Sequence, residues 1–389
     1  MKRRTMSKGL GLLVLLAAAG CDPAGQPKSN RVIFYPAPPD LPRLQFLTSF
    51  DNVSSWAQPQ SNFAEFVVGS SKKNARQGEI HSPYGIAAYG GKLYICDLGP
   101  QIVHVIDVIN KKYAPLGAPG QLEMPVNITI APDGTKYVCD TGKKKVAVYD
   151  ANDQFVRYLG DPKTCVPIAL ALYKDELIVI DAFECQIEIW DKEGKVLKTF
   201  AGKGEEPGKL QGPTNVAVAA DGRIFVSDTM GSNVFVFNHE GRIMGTIGAP
   251  GDTPGCFARP KGLLIDPNGI LYTAEAQWEK IQIFTLDGQL LLFFGEGGPL
   301  PDCLGMPRGL AIDTSTIPAF AQYIDKDFQP EYLLFVANQY GKGKRIGVYA
   351  FGKSRTADYS KALARPTTSR PATAPAPAPA PLPEPTRTK

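Results

Sequence analysis

Two short stretches place a cysteine directly before an aspartate: LYICDLG at residues 93–99 and KYVCDTG at residues 136–142. A thiol beside a carboxylate could bind a metal ion or take part in redox chemistry. The same pairing also arises when one structural unit is repeated along a chain. The aspartate recurs without the cysteine at Asp181 and Asp228. A repeat therefore explains the carboxylate, and only the cysteines are particular to this pair.

Six stretches share this unit, which consists of a proline, an alternating apolar run, a turn, a second alternating run and a polar stop. Period-2 runs joined by Gly-containing turns predict antiparallel strands. Two more short strand patterns follow each stretch. The prolines recur every 42–47 residues, at Pro83, Pro125, Pro167, Pro213, Pro260 and Pro307, and the polar stops are Asp97, Asp140, Asp181, Asp228, Glu275 and Asn338. Four strands per unit at this interval predict an all-β, six-bladed β-propeller of four-stranded antiparallel blades.

Four local motifs recur in the units: a P-x-G-[IL]-A start, an Asp-Gly turn, a [YF]-V-x-D stop and a [VI]-x-V-[YF] third strand. Together they resemble NHL-repeat propellers over about residues 63–352. The resemblance implies the architecture. It does not name a function, because this fold hosts both binding scaffolds and enzymes.

The ring of blades must close, since an open propeller exposes strand edges on its first and last blades. The sixth unit ends after its third strand pattern, at residues 345–352, so we expect an N-terminal strand to complete it. FAEFVVG at 63–69 has the pattern of an outer strand and is expected to complete the last blade; RLQFLTSF at 43–50 could close the ring instead, or form an extra strand. We place the propeller at residues 43–352.

The first twenty residues have the three parts of a secretory signal: MKRRTMSK is basic, GLGLLVLL is apolar and AAAG is small. Cys21 follows directly, and this junction resembles a bacterial lipobox, whose cysteine is lipidated. The sequence thus predicts a signal peptide at 1–20, a lipid-anchored Pro-rich linker at 21–42 and a protein anchored on the periplasmic side of a bacterial membrane. A plain signal peptide with an incidental cysteine is the alternative.

The charge distribution argues against a nucleic-acid partner. The basic residues of the predicted signal account for the whole formal charge of +4. The Pro/Ala-rich tail at 353–389 carries a net +5, which leaves about −5 for residues 21–352. A nucleic-acid binder needs a basic surface. The tail cannot build a core, so we expect it to be disordered, as a spacer or as an arm that contacts the envelope.

Blade topology brings specific residues to one face of the propeller. Each first strand starts on this face near the central axis, and the loop between the second and third strands returns to it; we call it the front face. Lys261 and Arg308 lie there on neighbouring blades and could together hold an anion or a carboxylate, or simply be solvated. The candidate ligand-binding residues at the channel mouth are His81, Tyr84, Asn127, Asn215, Lys261 and Arg308.

The polar stops also lie on the front face, as five carboxylates and one amide in a ring. They could form a cation site, or each could accept backbone N–H bonds and cap its own turn. One copy per blade is what the structural role predicts. We therefore expect neither a metal site nor a cofactor.

Signals for catalysis are weak in this sequence. The three histidines, His81, His104 and His239, occupy different repeat registers and so cannot converge on one ion. Gluconolactonase-like propellers use Glu, Asn and Asp at the channel; Asn127 and Asn215 match loosely, but no matching Glu is identifiable. The sequence favours a non-enzymatic, monomeric binding or scaffold module that engages a protein or envelope polymer through the front face. The alternative is a metal-dependent hydrolase or lyase with its site in the central channel.

Six cysteines besides Cys21 map to the front face. An even number in an exported domain permits disulfides. The simplest set joins cysteines of one blade or of neighbouring blades: Cys165–Cys185, Cys256–Cys303 and Cys96–Cys139. The last pair is the least secure, because equivalent strand positions of adjacent blades can lie beyond the ~7 Å Cα limit for a disulfide.

Overall fold

The computed structural model describes residues 32–56, 58–59, 78–204, 206 and 208–359. The predicted signal peptide, Cys21, the first half of the predicted linker, most of the predicted tail and the strand candidate at 63–69 lie outside these residues. Within them, no helix combines the length and the apolar character needed to cross a membrane.

Six sheets form the six blades of the propeller, as predicted, and their four main strands are antiparallel; in the first blade the short strand β3 adds a parallel edge to β7. Every first strand begins at its predicted proline, and every second strand ends at its predicted polar stop. The N-terminal strands are β1 (Ile33–Tyr35), β2 (Leu44–Phe50) and β3 (Gln58–Pro59). The first blade contains β4 (Pro83–Tyr89), β5 (Lys92–Asp97), β6 (Ile102–Asp107) and β7 (Lys112–Pro115). The second contains β8 (Pro125–Ile130), β9 (Lys136–Asp140), β10 (Lys145–Tyr149) and β11 (Phe155–Leu159). The third contains β12 (Pro167–Tyr173), β13 (Glu176–Asp181), β14 (Gln186–Trp190) and β15 (Val196–Ala201).

The fourth and fifth blades repeat this arrangement, and the sixth is modified. They contain β16 (Pro213–Val218), β17 (Ile224–Asp228), β18 (Asn233–Phe237), β19 (Ile243–Ile247); and β20 (Pro260–Ile265), β21 (Ile270–Glu275), β22 (Lys280–Thr285), β23 (Leu290–Phe294). The sixth blade has β24 (Pro307–Asp313), β25 (Phe328–Asn338) and β26 (Ile346–Ser354), with the short helix α1 (Ile317–Phe320) between its first two strands. Phe320 of this helix is fully buried, and its ring lies 4.5 Å from that of Trp56.

An N-terminal strand closes the ring, as expected. Strand β2 pairs antiparallel with β26, from Leu44 opposite Phe351 to Phe50 opposite Ile346, and Leu44 is fully buried. Strand β1 then adds a fifth strand outside β2. Of the two candidate segments, the one at 43–50 therefore completes the sixth blade.

The inner strands of neighbouring blades approach each other closely around the channel. A Cβ atom on Gly262 would lie 2.1 Å from the carbonyl oxygen of Arg308, and one on Gly309 would lie 2.5 Å from that of Tyr84. Neither distance is sterically possible. The glycine of the P-x-G start thus permits close blade contact, and this contact holds the residue before each glycine at the channel mouth.

Candidate functional site

A small pocket opens on the front face where the first strands begin. Five of the six candidate ligand-binding residues line it, contributed by all blades except the third. The pocket is lined by Tyr84, Gly85, Asn127, Thr214, Asn215, Lys261, Gly262 and Arg308. Repeat register alone brings these residues together, since each lies one or two positions past its blade's proline.

Lys261 contributes a positive charge to the pocket, and the carboxylate of Glu275 offsets it only in part. Its ammonium makes no hydrogen bond and no ion pair within the part of the chain that the structure describes. Burial, together with the neighbouring charges of Arg308 and Arg259, lowers the pKa of Lys261 to about 8. A partly buried cation without an anion is unfavourable, and a bound anion would relieve it.

Arg308 is held in place by neutral groups. Its Nε donates to Oε1 of Gln339 at 2.8 Å, and one terminal nitrogen donates to the hydroxyl of Tyr84 at 3.2 Å. The guanidinium also lies 4.8 Å from the centroid of the Tyr84 ring. These contacts orient the side chain and leave its charge unneutralised, which is what a carboxylate-binding arginine requires.

Hydroxyl groups of the fourth blade fix the backbone that carries Lys261. Ser227 donates to the carbonyl oxygen of Lys261 at 2.6 Å, and Thr229 donates to that of Pro260 at 2.6 Å. On the other side of the pocket, the buried Oδ1 of Asn127 has no hydrogen-bond partner among the described residues. The pocket therefore combines two cations that form no ion pair among the described residues with an amide whose oxygen is unsatisfied.

His81 lies outside this pocket. Its Nε2 is 3.7 Å from a carboxylate oxygen of Glu79, and both side chains are largely exposed. The other two histidines have separate partners: His104 bonds to Asp97 and Tyr113, and His239 to Glu176. Two residues before the proline, the chain has not yet entered the first strand, so His81 does not follow the register of the mouth residues.

The polar stops are structural, as their repetition predicts. Asp97 is fully buried and accepts hydrogen bonds from the backbone N–H groups of His81, Ser82 and Gly99. Burial alone would raise its pKa, but these bonds and one from His104 lower the pKa of Asp97 below its usual value. The stops of the other blades accept equivalent backbone bonds. The ring of stops thus ties each second strand to the loop that enters its blade.

One buried polar position was missed by the sequence interpretation. It lies in the middle of the third strand, and it faces the second-strand residue that is two positions before the polar stop. His104 occupies it in the first blade, Glu188 in the third and Gln282 in the fifth. All three side chains are buried and reach toward the front-face loops. The signal was a polar residue inside an apolar alternation, as in VHV, IEI and IQI.

All six propeller cysteines are free thiols, and none of the three predicted pairs is formed. In the third blade, the sulfur of Cys185 faces the carbonyl oxygens of Ala182 and Gln211, whereas that of Cys165 faces Asp181 and Glu188. Cys96 and Cys139 are fully buried, and burial raises the pKa of both thiols. The loops meet as predicted, but the Sγ atoms point to different neighbours.

We expect alkylation under denaturing conditions, without reductant, to label all six propeller cysteines. In the folded protein, Cys96 and Cys139 should react slowly, because both thiols are fully buried and their pKa values are raised. Mass spectrometry of the labelled peptides measures both results. If Cys165 and Cys185 were labelled only after reduction, the predicted disulfide between them would be present.

Comparison with known proteins supports the architecture. A family model described as 6-bladed beta-propeller matches residues 205–292. No curated protein matches the sequence. A solved structure of a protein of unknown function from Bacteroides thetaiotaomicron is similar with a TM-score of 0.54 and 18% identity, over 79% of this chain and 75% of that one.

Two lyase structures are also similar. A virginiamycin B lyase from Staphylococcus aureus has a TM-score of 0.49 and 15% identity, over 69% of this chain and 95% of that one. A streptogramin B lyase has a TM-score of 0.49 and 14% identity, over 71% and 85%. At such identities the similarity concerns the fold alone. The chain is a six-bladed β-propeller that carries a cationic pocket at the front mouth of its channel.

Proposed function

We propose that the chain is a non-enzymatic binding module of the bacterial cell envelope, an NHL-type propeller whose front face docks a protein segment bearing a carboxylate. The observation that carries this proposal is the pair of cations, Lys261 and Arg308, which border one pocket without an acidic partner among the described residues. A carboxylate accepts hydrogen bonds from both and neutralises part of their charge. The pocket is small, so it holds the acidic group while the rest of the partner lies above it.

Exposed apolar side chains in the front-face loops favour a protein partner over a polymer. They occur two or three residues past the polar stops of four consecutive blades, and their exposed fractions are 67% for Phe183, 72% for Met230, 41% for Trp278 and 55% for Tyr340. The first two blades have Gly99 and Gly142 in the corresponding loops. Aromatic residues and methionine grouped on one face are typical of protein interfaces.

The proposed location rests on the N-terminal sequence. A basic, an apolar and a small-residue segment precede Cys21, as in exported lipoproteins. A multiply acylated cysteine holds a protein stably at a membrane, because each buried methylene contributes about 0.8 kcal/mol. The residues between Cys21 and β1 would then separate the propeller from the membrane and leave the front face accessible.

The alternative function, a metal-dependent hydrolase or lyase, would place a divalent cation near Asn127 and Asn215. Lys261 and Arg308 border the same pocket and would repel such an ion. In addition, Oδ1 of Asn215 already accepts a hydrogen bond from the backbone N–H of Val216 at 2.9 Å. These contacts favour an anionic ligand over a metal ion.

Site-specific photo-cross-linking in intact envelopes tests this proposal. A photoreactive side chain at Met230 should capture a partner protein. The same side chain at Ile109, which is 45% exposed on the opposite face, serves as the matched control. The adduct at position 230 should disappear when Lys261 and Arg308 are both replaced by alanine. Equal adducts at both positions, or an adduct that persists in the double variant, would contradict docking at the front face.

Ligand affinity should depend on pH through Lys261. N-acetylphenylalanine is a suitable probe, since it joins a carboxylate to an aromatic side chain and stays ionised above pH 5. Its affinity should be constant up to about pH 7 and should fall above the pKa of Lys261, about 8, where the neutral amine predominates. Calorimetric titration measures this dependence. A Lys261→Arg variant keeps its charge, so its affinity should not change between pH 7 and 9; a fall equal to that of the wild type would implicate another group.

A further inference from the structure

A second cluster of reactive side chains lies in the third blade, apart from the channel pocket. Cys165, Asp181 and Glu188 place one ligand atom each within 4.8 Å of one another. Their exposed fractions are 4%, 0% and 5%. We propose that this cluster is a binding site for a thiophilic divalent cation of the Zn²⁺ type, with one sulfur and two carboxylate ligands.

The thiol of Cys165 is directed into the cluster. In the part of the chain that the structure describes, it has no hydrogen-bond partner other than the two carboxylates. A buried cysteine usually packs as a small apolar residue. Here the sulfur instead faces Asp181 and Glu188, an arrangement that suits a metal ligand.

Comparison with the first blade shows what the third blade lacks. In the first blade, His104 occupies the third-strand position of Glu188, and its Nε2 lies 3.1 Å from the polar stop Asp97. An imidazole can thus donate to that buried carboxylate. In the third blade the equivalent stop, Asp181, faces a second carboxylate, and no described lysine, arginine or histidine pairs with either one. A divalent cation would supply the missing positive charge.

Neutral donors already orient the carboxylate of Glu188. Its two oxygens accept hydrogen bonds from Nε1 of Trp190 at 2.7 Å and from Nε2 of Gln186 at 2.9 Å. Second-shell donors of this kind hold carboxylate ligands in many metal sites. Each oxygen keeps a further lone pair that can face an ion. Glu188 is therefore held in place and still able to coordinate.

Metal binding would replace a proton at the sulfur. A cysteine binds a metal ion as the thiolate, so the sulfur of Cys165 must give up its proton when the ion binds. On binding, the S–H bond breaks, a sulfur–metal bond forms and the proton leaves to solvent. Thiolate with carboxylate suits Zn²⁺ and its analogues and does not suit Mg²⁺ or Ca²⁺, which prefer oxygen ligands alone. The loop that precedes Cys165, residues 161–164, is exposed.

Cobalt(II) binding to the reduced protein tests this site, because a Co–thiolate bond produces a charge-transfer absorption band in the near ultraviolet. We expect the wild type to show the band and Zn²⁺ to abolish it by competition. Cys165→Ser should lose the band. The matched control Cys303→Ser, at another buried front-face cysteine, should retain it.

A second variant distinguishes the loss of a metal ligand from the loss of folding. Glu188→Gln keeps an oxygen that can accept from Trp190, so it should fold, yet it removes one charged ligand and should weaken Co²⁺ binding. Zn²⁺ should raise the melting temperature of the wild type and of Cys303→Ser, and not that of Cys165→Ser. Absence of the band in the wild type, or an equal band in folded Cys165→Ser, would overturn the proposal. Both results are independent of the channel pocket, so failure here leaves the docking proposal intact.

Discussion

Replacing Lys261 with methionine should weaken carboxylate binding and, at the same time, make the protein more stable. Binding of N-acetylphenylalanine should weaken by about 10- to 100-fold, the value of a charge-assisted hydrogen bond. Stability should rise because the folded state holds this ammonium partly buried beside Arg308, which lowers its pKa from 10.5 to about 8. The gain is on the order of 1–3 kcal/mol at pH 7, once solvent screening is taken into account.

The size of the stability effect depends on pH. Below pH 8 the lysine is charged in both the folded and the unfolded state, so folding bears the full cost of burying the charge. Between pH 8 and 10.5 the folded state loses the proton first, and the cost falls. The difference between the methionine variant and the wild type should therefore be present at pH 7 and shrink as the pH approaches 10.

Urea denaturation at the two pH values, with calorimetry for binding, measures both effects. Lys342→Met is the matched control: this lysine is exposed in a front-face loop of the sixth blade, so its replacement should change neither quantity. A Lys261→Met variant that is less stable than the wild type at pH 7 would show that the ammonium has a partner that stabilises the fold.

Replacing Asp228 with alanine should destabilise the protein by about 3–5 kcal/mol. This polar stop is fully buried and accepts hydrogen bonds from the backbone N–H groups of Gln211, Gly212 and Gly231, at 2.6, 2.7 and 3.1 Å. Alanine removes the acceptor and leaves the three donors unsatisfied beneath the front face. Asp228→Asn keeps one acceptor oxygen and should lose about half as much.

A surface variant in the same blade, measured by the same urea denaturation, provides the comparison. Asp221, in an exposed turn of the fourth blade, pairs with Arg223 at the surface, so Asp221→Ala should cost less than about 1 kcal/mol. If Asp228→Ala cost no more than Asp221→Ala, the polar stops would not be structural, and the ring of carboxylates would need another explanation.

The limits of the blades could be predicted because each is marked by local chemistry. A proline starts the inner strand at Pro213, and a carboxylate at Asp228 ends the next one, since the two ends are joined by hydrogen bonds. Closure of the ring was harder to predict. Two N-terminal segments had the same alternation, and only the long-range pairing of Leu44–Phe50 with Ile346–Ser354 distinguishes them.

The channel pocket could be predicted for a related reason. Tyr84, Lys261 and Arg308 follow their prolines at a constant distance, so the repeat places them together without knowledge of side-chain contacts. No comparable spacing rule predicts which cysteines pair. Cys165 and Cys185 lie in loops that meet, but the direction of each sulfur depends on side chains of other strands, such as Glu188. Only the cross-strand register of the third blade shows that Glu188 is a neighbour of Cys165.

The most direct test of the channel pocket is the pKa of Lys261, measured by NMR on protein whose lysines carry ¹³C-methyl groups. Comparison with Lys261→Met assigns the resonance. We predict a midpoint near 8 in the free protein and a clear rise when N-acetylphenylalanine is added, with no rise for its uncharged amide. A midpoint near the ordinary lysine value of 10.5 that does not respond to the carboxylate would contradict the claim that Lys261 and Arg308 form an anion-binding site.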